Sequence, residues 1–129
     1  MKVDLTMLAV VTGAGSGMGE AVARELASQG LFVLLLDNNI ESVKRVAKDI
    51  NGRAFECDVS NAIEVEKVFS EIEKIEGQLR ITVNCAGIAP AKRCVGREGP
   101  MDLSAFEAVI KVNLIGTFNI IRMAASLMM

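Results

Sequence analysis

The stretch TGAGSGMG, residues 12–19, puts a glycine at every second position directly after the apolar run MLAVV. No other feature restricts the possible folds as strongly. An apolar run that short, ended by a polar residue and glycines, reads as a strand buried on both faces, as a parallel sheet requires. The segment EAVARELASQ (20–29) has helical spacing, with Val22, Ala23 and Leu26 on one face and Gly30 in the place of a C-cap. A glycine-rich turn from a buried strand into a helix favours an anion. Free N–H groups and the positive end of the helix dipole meet there. Gly13 is expected to make the tight turn. Gly15 and Gly17 let the backbone approach a pyrophosphate, and Gly19 lets helix and strand pack closely. Ser16 adds a hydroxyl donor. The spacing is not GxGxxG, because Met18 takes the place of its third glycine, and no Gly-Lys-Ser/Thr follows to make a P-loop.

The same alternation continues along the chain. LFVLLL (31–36) is a second buried strand that closes on Asp37. Residues 40–50 form an amphipathic helix with Val43, Val46, Ala47 and Ile50 on one side, broken at Asn51–Gly52. RAFEC (53–57) is a weaker third strand. Ser60 or Asn61 caps a helix over 62–75 whose Ile63, Val65, Val68, Phe69, Ile72 and Ile75 are expected on a core face. LRITVN (79–84) is the fourth strand, 85–101 a long loop, and 103–128 one long helix with Asp102 as N-cap. The order β-α-β-α-β-α-β-α predicts an α/β fold. With right-handed crossovers it becomes a Rossmann-type doubly wound parallel sheet of four strands in the order 3-2-1-4, helices on both faces, over a single domain 1–129.

Composition narrows the partners. The 129 residues are 51% hydrophobic and 23% charged, enough for one folded domain. A net charge of −2 argues against a nucleic-acid partner. Lys92, Arg93 and Arg97 read as a solvated loop cluster, with attraction of coenzyme-A phosphates as the functional alternative. Three cysteines, Cys57, Cys85 and Cys94, fit neither a disulfide framework nor a zinc site. Cys57 and Cys85 read as small core residues. A reducing, cytoplasmic compartment is the expectation. The chain has no histidine and no metal site is expected. Lys2 and the LTMLAVV run imitate a leader only faintly. The run is short, Asp4 precedes it and the glycine turn follows, so no leader is expected. No window is expected to span a membrane.

Asp37 gives the glycine turn a partner. It stands about twenty residues on, at the end of the second strand, where a carboxylate accepts hydrogen bonds from both hydroxyls of an adenosine ribose. A 2′-phosphate would meet like charge there, and Asn38 and Asn39 bring no cation to receive it. The expected cofactor is therefore NAD rather than NADP.

With these residues in view, the chain resembles the short-chain dehydrogenases/reductases over essentially its whole length. Thr12, Gly13, Gly17 and Gly19 match the family's TGxxxGxG, and Asp37 matches its acidic residue after strand two. Asp58–Val59 matches the pair that meets the adenine ring. Asn84-Cys85-Ala86-Gly87 matches NNAG, with Cys85 in the second Asn position. Asn113, in KVNLIGTFN, matches the asparagine of the catalytic tetrad. VNCAGIA and VNLIGTFNIIR look most like the type-II 3-hydroxyacyl-CoA dehydrogenase branch.

The resemblance implies a cofactor site made of Gly13, Gly15, Ser16, Gly17, Met18, Gly19, Asp37, Asp58, Val59, Asn84, Ala86 and Gly87, with Asn113 in a proton relay. It also implies a downstream serine and Tyr-x-x-x-Lys, yet this chain contains no tyrosine. Three readings stand: the cofactor half of a longer oxidoreductase, a stand-alone NAD-binding or regulatory module, or a truncated product serving at most as a structural partner. In the first, the substrate is a small hydroxyl or carbonyl compound, reached only when the other half is supplied. The long helix is apolar on more than one face, and strand four would be an open edge. A homo-oligomer through 103–128 is expected.

Overall fold

The computed structural model describes residues 7–129. Lys2 and Asp4, which bear on the leader question, lie outside the described residues. Strand β1 (Met7–Thr12) leads into helix α1 (Gly17–Ser28), and β2 (Phe32–Asp37) into α2 (Ile40–Ile50). Strand β3 (Arg53–Glu56) leads into α3 (Ala62–Glu73), and β4 (Gln78–Asn84) follows. All pairings among these strands are parallel and the order is β3-β2-β1-β4, as the alternation predicted. In the central register Val10 lies between Leu34 and Thr82, and Thr12 between Leu36 and Asn84.

The continuous apolar runs have a simple cause: both faces of the sheet are covered. One face sets Val10, Leu34 and Leu36 against Val65, Phe69 and Ile72 of α3 and against Ile120 and Ala124. The other sets Val11, Val33 and Leu35 against Ala23 of α1 and Val43 and Val46 of α2. Each fully buried leucine contributes about 1.5–3 kcal/mol of transfer free energy. The helix ends follow their caps. Asn39 accepts from the Ser42 N–H at 3.2 Å, and Asn61, not Ser60, accepts from the Glu64 N–H at 3.0 Å. Asp102 accepts from the Ser104 N–H at 3.2 Å.

Several expectations need correction. Helix α1 begins at Gly17 rather than Glu20, so three residues of the glycine turn already belong to it. Helix α3 ends at Glu73, and Ile63 points to solvent, because it falls on the outer side of the first turn. Cys85 is only half-buried, unlike Cys57. The 85–101 loop contains a two-stranded antiparallel hairpin, β5 (Val95–Gly96) with β6 (Gly99–Pro100).

The long helix is not uniform. Helix α4 (Leu103–Ile110) passes into a π-helical segment, Lys111–Gly116, and then into α5 (Thr117–Met128). Together, Leu103–Met128 have the length and mean hydropathy (1.3) of a membrane-crossing helix, although Glu107, Lys111, Asn113, Asn119 and Arg122 interrupt the apolar run. Here that apolarity has another use. Ile120 and Ala124 sit in the core. Asn119 donates to the Val59 carbonyl at 2.8 Å, and Arg122 donates to Glu66 at 3.0 Å.

Candidate nucleotide-binding site

The carboxyl ends of the four strands lie along one edge of the sheet, and the glycine turn closes over β1. Thr12 is fully buried, and its hydroxyl oxygen accepts from the N–H groups of Cys85 and Ala86, both at 3.1 Å. This residue ties the end of β1 to the chain leaving β4. Sequence reasoning matched it to a motif without giving it a role. Its signal was a polar residue at the close of an otherwise apolar strand. Gly13 takes φ +62°, and a Cβ there would lie 2.8 Å from the Ala86 nitrogen. Only glycine meets both conditions. At Gly19 a side chain would enter the space of the Gly13 carbonyl and stand 3.1 Å from the Ala14 Cα.

Ser16 is the N-cap of α1 in extended conformation, and its side chain makes no cap hydrogen bond. The hydroxyl and the first helical N–H groups are therefore open to a ligand. Asp37 ends β2 with both oxygens engaged by backbone: Oδ2 accepts from the Gly15 N–H and Oδ1 from the Asn39 N–H, each at 3.0 Å. Asp58 accepts from the Ser60 N–H at 3.0 Å and from its hydroxyl at 2.7 Å. Burial, with Glu64 and Asp58 nearby, pushes the Cys57 thiol up to about 12.

These residues surround a cleft of ≈ 370 Å³, within the usual range for small-molecule sites. Gly13, Ser16, Gly17, Met18 and Gly19 line it, with Asp37, Asp58, Val59, Ala86 and Gly87. The cleft also takes in Leu36, Asn38, Cys57, Cys85, Ile88 and Val112, none of which was among the site residues expected from the sequence. Two predicted members stand back from it. A Cβ on Gly15 would lie 2.8 Å from the Ser42 Cβ, so this glycine serves a close approach to α2 rather than to the cleft. Asn84 ends β4 with Oδ1 buried and without a hydrogen-bond partner, as is the Thr82 hydroxyl two residues before it.

Asn113 lies in the π segment and reads the backbone of Ile88 as a neighbouring strand would. Its Oδ1 accepts from the Ile88 N–H and its Nδ2 donates to the Ile88 carbonyl, both at 2.8 Å. The Thr117 hydroxyl donates to the Asn113 carbonyl at 2.9 Å. A regular helical pattern gives no sign of the π turn, which departs from the 3.6-residue period for a single turn only.

The short chain dehydrogenase family model matches residues 7–129. The chain belongs to the short-chain dehydrogenase family. Among its relatives, 3-hydroxyacyl-CoA dehydrogenase type-2 of Drosophila melanogaster is 36% identical over 125 residues, covering 94% of this chain and 49% of that protein. The 2,3-dihydro-2,3-dihydroxybenzoate dehydrogenase of Bacillus subtilis is 34% identical over 127 residues, covering 95% of this chain and 47% of that protein. A crystal structure described as ribose-5-phosphate isomerase from Brucella melitensis superposes with TM-score 0.86 at 31% identity, over 94% of this chain and 46% of that one. The short-chain dehydrogenase chain thus spans about half the length of the curated relatives it matches. The likeness to the type-II 3-hydroxyacyl-CoA dehydrogenase branch, read first from VNCAGIA and VNLIGTFNIIR, agrees with these matches.

Proposed function

We propose that this chain binds NAD in the cleft and is the cofactor-holding half of an NAD-dependent dehydrogenase. One observation carries the reading: the Asp37 carboxylate, oriented by backbone N–H groups at both oxygens, stands on the rim of a cleft whose other wall is the glycine turn. The residues fit the cofactor. Ser16, Gly17, Met18 and Gly19 offer N–H groups at a helix start to the pyrophosphate, and Gly13 keeps the turn tight beneath them. Asp37 accepts from the ribose hydroxyls and repels a 2′-phosphate. Arg45, the guanidinium that reaches this turn, is already committed to Glu20 and the Gly15 carbonyl. Asp58 and Val59 hold the adenine, while Ala86 and Gly87 give the backbone close passage.

When bound, the nicotinamide supplies hydride exchange with a substrate carbon. The chain's own contribution is to bind, orient and hold shape. Asn113 pins Ile88, and Thr12 pins Cys85 and Ala86, so the loop leaving β4 keeps its place beside the cleft. No tyrosine or histidine is present to move the substrate proton. The alternative reading is a stand-alone NAD-binding or structural module without catalysis.

In the complete enzyme the substrate is a small hydroxyl or carbonyl compound. A 3-hydroxyacyl-CoA is the first candidate, since relatives carry that name. The exposed face of the 103–128 helix supports a homo-oligomer. Cysteines without partners support a cytoplasmic setting, and the net charge of −2 speaks against a nucleic-acid partner.

Calorimetric titration with NAD, and with NADP as control, tests the reading. Binding in the micromolar to low-millimolar range is expected, with at least about a tenfold loss in Asp37→Ala. A folded chain that binds neither nucleotide overturns it.

A further inference from the structure

We propose that Arg45 is a positioning residue for nucleotide binding, coupling the ribose-reading carboxylate to the phosphate-facing turn through Gly15. The proposal rests on reading the cleft as an NAD site.

The turn is gripped at one residue from two directions. The Gly15 N–H donates to Asp37 Oδ2 at 3.0 Å, and the Gly15 carbonyl accepts from Arg45 Nη2 at 3.2 Å. A single glycine thus joins the carboxylate that ends β2 to a guanidinium in the middle of α2. Arg45 is itself aimed. Its Nη2 and Nη1 donate to Glu20 Oε1 and Oε2 at 2.7 and 3.4 Å. Arg24 holds Glu20 from the other side at 2.9 Å and reaches Asp49 at 3.0 Å. A planar fork can serve a carbonyl and both carboxylate oxygens together, whereas a lysine ammonium acts as a point charge.

Neither Gly15 nor Arg45 lines the cleft, so neither touches the nucleotide directly. Their influence passes through the orientation of one peptide. If the Gly15 carbonyl turned away from α2, its N–H would leave Asp37, and the carboxylate would lose one of the two donors that aim it. Ser16 and Gly17 follow directly and would shift with it. An ordinary exposed ion pair predicts only a small, independent loss of stability. The clamp predicts that Arg45 and Asp37 act as one unit.

The test measures NAD affinity by calorimetry and amide hydrogen exchange by NMR on the 129-residue chain. The variants are Arg45→Ala, Arg45→Lys, Asp37→Asn and the double Arg45→Ala/Asp37→Asn. Arg45→Ala is expected to weaken NAD about tenfold, Arg45→Lys to recover part of that loss, and Arg45→Ala to add little once Asp37 is Asn. Exchange at the Gly15 amide accelerates in Arg45→Ala, while Val10 and Leu34 stay protected. An equal loss of affinity in both Asp37 backgrounds overturns the coupling, and so does unchanged exchange at Gly15. If the unaltered chain fails to bind NAD, the NAD reading falls and the nucleotide role of Arg45 with it. The Gly15 exchange then reports separately on whether the clamp itself exists.

Discussion

The two neighbours of β1 in the sheet are built from similar residues and live in different surroundings. On one side, Leu34, Leu35 and Leu36 of β2 are fully buried, enclosed by β3 and by helices on both faces. On the other, Ile81, Thr82 and Val83 of β4 are only half-buried, although β-branched residues suit a strand just as well. The difference is what stands beside them. Strand β4 is a sheet edge, and the helical span from α4 to α5, whose last part packs against it, holds Leu114 and Phe118 each at 64% exposure. On the β2 side this chain adds a further strand, β3, before the sheet ends. The β4 side presents an open edge, two unpaired buried oxygens at Thr82 and Asn84, and an apolar helix face.

The largest effect that could break this contrast lies in the core. Leu34→Ala is expected to lower the unfolding free energy by about 2–5 kcal/mol, while Leu114→Ala stays within about 0.5 kcal/mol of the unaltered chain under conditions where it is monomeric. Urea unfolding of both variants checks this, and equal losses would erase the distinction. The next effect concerns association. Phe118→Glu places a charge on the exposed helix face, so sedimentation at micromolar concentration is expected to shift toward monomer while the circular dichroism stays that of the folded chain. A chain already monodisperse as monomer removes the oligomer proposal.

Thiol labelling sharpens the comparison at the level of single side chains. At pH 8, Cys94, exposed in the loop, is expected to react fast. Cys57, buried and with its thiol pushed up to about 12, reacts only on unfolding. Comparable rates in the folded chain would mean that the β3 end of the cleft opens readily.

The smallest expected effect is in acid. Hydrogen bonds from Arg45, and then from Arg24, hold the Glu20 carboxyl below its ordinary 4.5. A depressed folded pKa stabilises the fold above the unfolded value, and that contribution fades as pH falls through the folded one. Glu20→Gln should therefore lower the plateau slightly above about pH 4.5 and remove that part of the fall on the acid limb, so that the two chains converge at low pH. An unaltered acid limb would show that the cluster has no thermodynamic weight.

The β1–β2 half was largely legible in the sequence, and the β4 half less so. Continuous apolar runs ending at Thr12 and Asp37, with glycines between, encode strand, turn and helix locally. The strand order followed from alternation and crossover handedness. Gly15 was misplaced because its need for space comes from Ser42, a residue remote in sequence that only folding brings near. Ile63 was misassigned because helical periodicity is least reliable in the first turn. The π segment at Asn113 and the hairpin near Val95 left no periodic trace.

The sequence by itself determined the element order, the parallel sheet, the glycine turn and the carboxylate at the end of β2. Each of these depends on residues close together along the chain or on steric rules common to all chains. Only the tertiary structure decided which donor each polar group meets: Thr12 with Cys85 and Ala86, Asn113 with Ile88, Gly15 between Asp37 and Arg45. Hydrogen bonds act over about 3 Å and demand direction. Partners 22 to 74 residues apart are therefore fixed by how strands and helices pack, which no local pattern of residues specifies.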